Sequence, residues 1–149
     1  MKLEYTDNAM FSELLEAIDK QHVAILAQNE TDKVFDLFQA NVPIYQGGSR
    51  IDWSKINKTV YVDSPHDIRL TLDALLGGKL DETVYVFWND ASLPVIRTDL
   101  TSIIKNYDCA ERVGFETWIY NPKQGYIIEN YYLGEINLGL VKPSKLVLS

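Results

Sequence analysis

Met10, Phe11, Leu14, Leu15 and Ile18 recur at helical spacing and predict a helix over residues 9–20. Thr6, Asp7 or Asn8 can cap its start. The short apolar run 23–27 reads as a buried strand. Val34, Phe35, Leu37 and Phe38 predict a helix over 31–39. Residues 41–49, with Pro43 and the Gly47-Gly48 pair, read as a loop. A strand is expected at 59–62. Ser64-Pro65 then places a hydroxyl cap before a proline, a strong helix start. Ile68, Leu72, Leu75 and Leu76 form the buried stripe of that helix, over 65–76, and Gly77-Gly78 ends it. Residues 83–88 are β-branched and aromatic, hence a strand. Leu100, Ile103, Ile104 and Tyr107 predict a helix over 99–107.

The last third changes period. Residues 114–120, 125–132 and 135–141 read as three strands of an antiparallel meander, with turns at 121–125 and 133–134. Interleaved helices and strands followed by a meander predict an α+β fold, a single domain over 1–149. A two-residue turn at 133–134 sets Glu129 opposite Leu138. A five-residue turn at 121–125 adds Phe115, Thr117 and Ile119 to the same face. This register gathers the aliphatics and is preferred, because a four-residue turn flips the first strand and brings Glu116 against Glu129. The other face then holds Glu116, Trp118, Tyr120, Tyr126, Ile128, Asn130 and Tyr132. It is either covered by a helix or exposed for recognition. Glu129 is left among aliphatics, where a carboxylate needs an ion pair or hydrogen bonds. Arg97, Arg112 and Lys142 are its candidate partners, a sheet-edge position is the other structural solution, and a general acid is the competing reading.

Charge narrows the partners. Fourteen basic against 21 acidic residues give a net charge of −7 over 149 residues. Such a field disfavours nucleic acid and favours a basic protein. The single cysteine, Cys109, rules out an internal disulfide and suits a reducing cytoplasm. Five acids within the first twenty residues do not resemble a secretory signal, and the apolar runs are too short to span a bilayer.

Recognisable catalytic chemistry is missing. His22 and His66 lie in different elements and outside metal-ligand spacing, so neither a metal nor a cofactor is expected. No nucleophile elbow, phosphate loop or dinucleotide fingerprint occurs.

Phe87-Trp88-Asn89-Asp90, the helix at 98–107, the segment Gly114-Phe115-Glu116-Thr117-Trp118-Ile119-Tyr120-Asn121-Pro122, then Gly125-Tyr126-Ile127-Ile128-Glu129 and Gly134-Glu135-Ile136 together form a pattern. It resembles the immunity proteins of bacterial contact-dependent growth inhibition systems. The resemblance implies a small cytoplasmic protein, not an enzyme, that binds and blocks the toxic C-terminal domain delivered by a neighbouring cell. Many such domains are nucleases, whose basic clefts an acidic inhibitor complements. The face argument, not the resemblance, nominates contacts: Asp90, Glu116 and Glu135 for steering, and Trp118, Tyr120 and Tyr126 as an aromatic anchor. Two other readings remain at this point: a small enzyme using Glu129 as an acid, and an adaptor binding through the aromatic face.

Overall fold

Local chemistry starts most of the elements where the sequence places them. Asn8 Oδ1 accepts from Phe11 N–H at 2.9 Å and opens α1 (Ala9–Ala17). Ser64 Oγ accepts from His66 N–H, but Pro65 opens a short 3₁₀ turn, and α3 (Ile68–Leu76) begins only after it. Gly77 adopts φ 64° and closes α3 in the left-handed conformation that glycine tolerates. The helix expected at 99–107 breaks at Asn106 into α4 (Leu100–Lys105) and α5 (Tyr107–Glu111). Asn106 Nδ2 donates back to the Ser102 carbonyl, which competes with helix continuation.

The computed structural model describes residues 8–48, 50–132 and 134–148. The candidate caps Thr6 and Asp7 lie outside them. The remaining elements are β1 (Val23–Ile25), α2 (Gln28–Asn41), β2 (Lys58–Val62), β3 (Thr83–Trp88), β4 (Ile96–Asp99), β5 (Thr117–Asn121), β6 (Tyr126–Tyr131) and β7 (Glu135–Leu140). The strands form one seven-stranded sheet in the order β1-β4-β3-β5-β6-β7-β2. Its pairings are antiparallel, and the fold is α+β as expected. β4 was not anticipated: four residues, three of them polar, carry no apolar alternation to detect.

Both hairpins of the meander differ from the preferred register by one residue. The first turn has four residues, 122–125, so Asn121 pairs with Tyr126 and Trp118 with Glu129. The second is 132–134, so Tyr131 pairs with Glu135 and Glu129 with Asn137. One-residue shifts exchange faces. Trp118 and Tyr120 therefore share a face with Glu129 and Ile127, while Ile119, Tyr126 and Ile128 face the other way. The expected gathering of aliphatics fails because the sheet is covered on both sides, so neither face had to be polar. Gly125 helps fix the first turn: its φ is 76°, and a Cβ there would collide with the Val141 carbonyl oxygen.

On one face α1, α3, α4 and α5 pack against the sheet. Phe11, Leu14, Leu72, Ile103 and Tyr107 meet Val86, Trp88, Ile119, Ile128 and Leu138 there. On the other, α2, the loop 42–56 and the segment 141–148 do the covering. Phe38 of α2 stands among Phe87, Trp118 and Tyr120 at ring-centroid distances of 5.0, 5.1 and 5.7 Å. Aromatic packing at such separations adds to area burial.

Candidate partner-binding surface

Glu129 sits in β6, between Trp118 of β5 and Asn137 of β7. It is fully excluded from solvent, yet it does not stand among aliphatics. Its Oε2 accepts from Ile51 N–H at 2.8 Å and from Trp118 Nε1–H at 3.0 Å. Its Oε1 accepts from Trp53 Nε1–H at 3.0 Å, with Arg50 Nη2 at 3.8 Å. The ion-pair partner is thus Arg50, not Arg97, Arg112 or Lys142. Three N–H donors and a guanidinium satisfy an acceptor-only group. Two of those donors belong to the loop 42–56, so the carboxylate clamps that loop onto the sheet. Trp53 fits because position 139 is glycine: a Cβ there would come within 2.8 Å of the Trp53 ring. The arrangement is a structural clamp, as one sequence reading had it, and it leaves no exposed oxygen for acid catalysis.

Trp118, Tyr120 and Tyr126 are buried, the first two under α2 and the third on the opposite face. Tyr126 O–H donates to the Asp81 carbonyl at 2.6 Å, and burial pushes its phenol well above the usual range. An exposed aromatic face built from these three is therefore a correction to make: helix cover won, because large aromatics across a sheet are worth more buried. Glu116 is buried too. Asp90 is exposed, its carboxylate accepting from Ser92 N–H and Oγ–H in a tight turn. Glu135 is partly exposed and pairs with Arg50 Nη2 at 3.3 Å.

The strand registers nevertheless bring the three nominated acids to one end of the sheet. Trp88 pairs with Thr117, Thr117 with Asn130 and Asn130 with Ile136, so Asp90, Glu116 and Glu135 flank that row. The same end displays two aromatics that the face argument did not nominate. Phe115 and Tyr132 are exposed and touch edge to face with ring centroids 5.0 Å apart. Beside them runs a groove of about 680 Å³, lined by Glu111, Arg112, Gly114 and Asn130 among others. Their signal in the sequence was position alone, since both flank turns rather than lie within strands. The opposite end of the sheet is lysine-bearing, with Lys79, Lys123 and Lys145 around clefts that also hold Asp81.

Among the described residues, no group of three or more His, Cys, Asp or Glu is placed to hold a metal ion. Among the same residues, no helix is long and apolar enough to cross a membrane. The family described as CdiI immunity protein EcoliA0-like matches residues 8–139. The chain belongs to this family. The match extends the resemblance from the C-terminal segments across the whole sheet and its helices. The function of this immunity protein is accordingly protection, and its partner is a toxin protein. No curated protein matches the chain.

Proposed function

We propose that this immunity protein neutralises a basic, nucleic-acid-cleaving toxin domain by occluding it, with the acidic end of the sheet as the docking surface. The observation that carries the reading is the net charge of −7 on a chain of 149 residues. A nuclease must attract a polyanion and so presents positive potential around its cleft. An inhibitor of opposite sign is steered to that cleft before any contact forms. Asp90 and Glu135 sit at the same sheet end, one exposed and one partly so, and are assigned to steering. Occlusion needs no chemistry from the inhibitor, in keeping with a Glu129 that is consumed by the clamp.

The test is association kinetics with the toxin's C-terminal domain across a salt series. Steering is screened over about 8 Å at physiological ionic strength. The association rate should fall steeply with salt while dissociation changes little. Reversal of Asp90 or Glu135 to lysine should slow association several-fold. An association rate indifferent to salt would remove the basic-partner reading while leaving the immunity function intact.

A further inference from the structure

The groove at the acidic end has a build that the fold does not require. Phe115 is 67% exposed and Tyr132 52%. Large aromatics held against each other in water are typical of anchors that a partner later covers. The Glu111 carboxylate lines the groove with them. Tyr107 O–H donates to Asn130 Oδ1 at 3.0 Å, and Asn130 lines the groove together with Glu111. Asn130 is itself buried, and Glu111 stands on the groove wall beside it. Arg112, on the same wall, favours the charged form of Glu111 but forms its ion pair with another carboxylate. Its Nη2 reaches Glu13 at 3.3 Å and its Nε–H donates to the Asp108 carbonyl at 3.1 Å. Partial burial first, and the neighbouring Asp108 second, push the Glu111 carboxyl above its ordinary range. A carboxylate in that condition gains from an added cation.

We propose that this groove receives an arginine of the toxin domain, its guanidinium stacked on the Phe115–Tyr132 pair and ion-paired with Glu111. Arginine fits better than lysine because its planar, weakly hydrated group stacks on aromatic rings and pairs with carboxylates together. The chain already makes such an arrangement internally, where Arg50 lies 3.7 Å over the Tyr131 ring and pairs with Glu135. The inference rests on the reading of the toxin domain as basic, and adds the place and the residue type. It also locates the anchor that Trp118, Tyr120 and Tyr126 do not supply.

The experiment measures dissociation of the toxin C-terminal domain from wild type, Phe115→Ala, Tyr132→Ala and Glu111→Gln, after thermal melting of each variant alone. All three side chains are at least partly exposed, so melting should be near wild type. Each aromatic truncation should speed dissociation at least tenfold. Wild-type dissociation should accelerate once pH is low enough to protonate Glu111 in the complex, where the bound guanidinium holds its carboxyl below the range of the free chain. Glu111→Gln should dissociate faster at neutral pH and lose that acceleration. In a double-mutant cycle, one toxin arginine changed to alanine should couple to Glu111→Gln, with the two losses far from additive. The proposal is overturned if the variants fold and dissociate like wild type, or if no toxin arginine couples to Glu111. Tight, salt-sensitive binding by wild type in that case would keep the basic-partner reading and remove only the groove. Absence of salt-sensitive binding by wild type would remove both.

Discussion

On one face of the sheet, the loop 42–56 is sealed down around Glu129. On the other, between α5 and the turn after β6, a groove stays open around Glu111. Both regions are organised by a glutamate near the β5–β6 hairpin, and each glutamate has an arginine within a few residues of its surroundings. Glu129 is excluded from solvent and saturated by Ile51, Trp53 and Trp118, with Arg50 facing it. Glu111 is partly solvated and shares the groove wall with Asn130, while Arg112, which favours its charged form, is ion-paired with Glu13. The difference teaches how one residue type serves two ends. A carboxylate whose acceptor sites are filled by the chain's own donors fixes structure. One that is partly buried but incompletely compensated keeps interaction energy for something outside the chain.

The sharpest way to break the comparison is to delete the clamp. Glu129→Ala strands the buried Ile51 and Trp118 donors and takes the acceptor from the partly buried Trp53 N–H. The cost should be about 3 kcal/mol or more, read as a lowered midpoint in denaturant unfolding. Glu129→Gln keeps an acceptor but turns an amide towards N–H donors, and should cost less than the alanine. A Glu129→Ala protein of wild-type stability would mean that the loop is held by packing alone.

A smaller effect is expected at Arg50. Arg50→Ala removes the stacking on Tyr131 and the contacts to Glu135 and Glu129. The side chain is partly exposed, so the loss should be about 1 kcal/mol, seen as a modest shift of the same midpoint. Hydrogen exchange at the Ile51 amide should accelerate, because its bond to Glu129 opens more often when the loop loosens.

The smallest effect, and the one whose sign separates the two regions, lies at Glu111. Its folded-state carboxyl is raised, so the folded chain takes up a proton more readily than the unfolded one. Wild-type stability from this group therefore improves as pH falls through the folded value, and the penalty is present at neutral pH. Glu111→Gln removes the ionised form. It should leave the neutral-pH melting temperature equal or slightly higher, with the gain vanishing in acid. Paired melts at neutral and acid pH check this. A clear loss of stability at neutral pH would make Glu111 a second clamp rather than a reserved contact.

The pattern of residues was enough to announce the fold class and most elements. The stripe Ile68, Leu72, Leu75, Leu76 and the β-branched run at 83–88 carry their own periodicity, and Asn8, Ser64 and Gly77 punctuate them through local hydrogen bonds and φ. Family membership was also legible, through the turns and aromatic strands around Trp88, Phe115–Pro122 and Gly125–Glu129, and net charge pointed to the sign of a partner. What only tertiary structure decided was which way each strand faces. Alternation identifies the inner face only when the other face is wet, and here α2, the loop 42–56 and the C-terminal segment cover the second face as the helices cover the first. Hence Trp118, Tyr120 and Tyr126 became core, and Phe115 and Tyr132, at turns, became the exposed pair. The partners of Glu129 were equally out of reach. Ile51 and Trp53 lie more than seventy positions away in sequence, and a carboxylate finds backbone and indole N–H groups at such range only once the sheet exists.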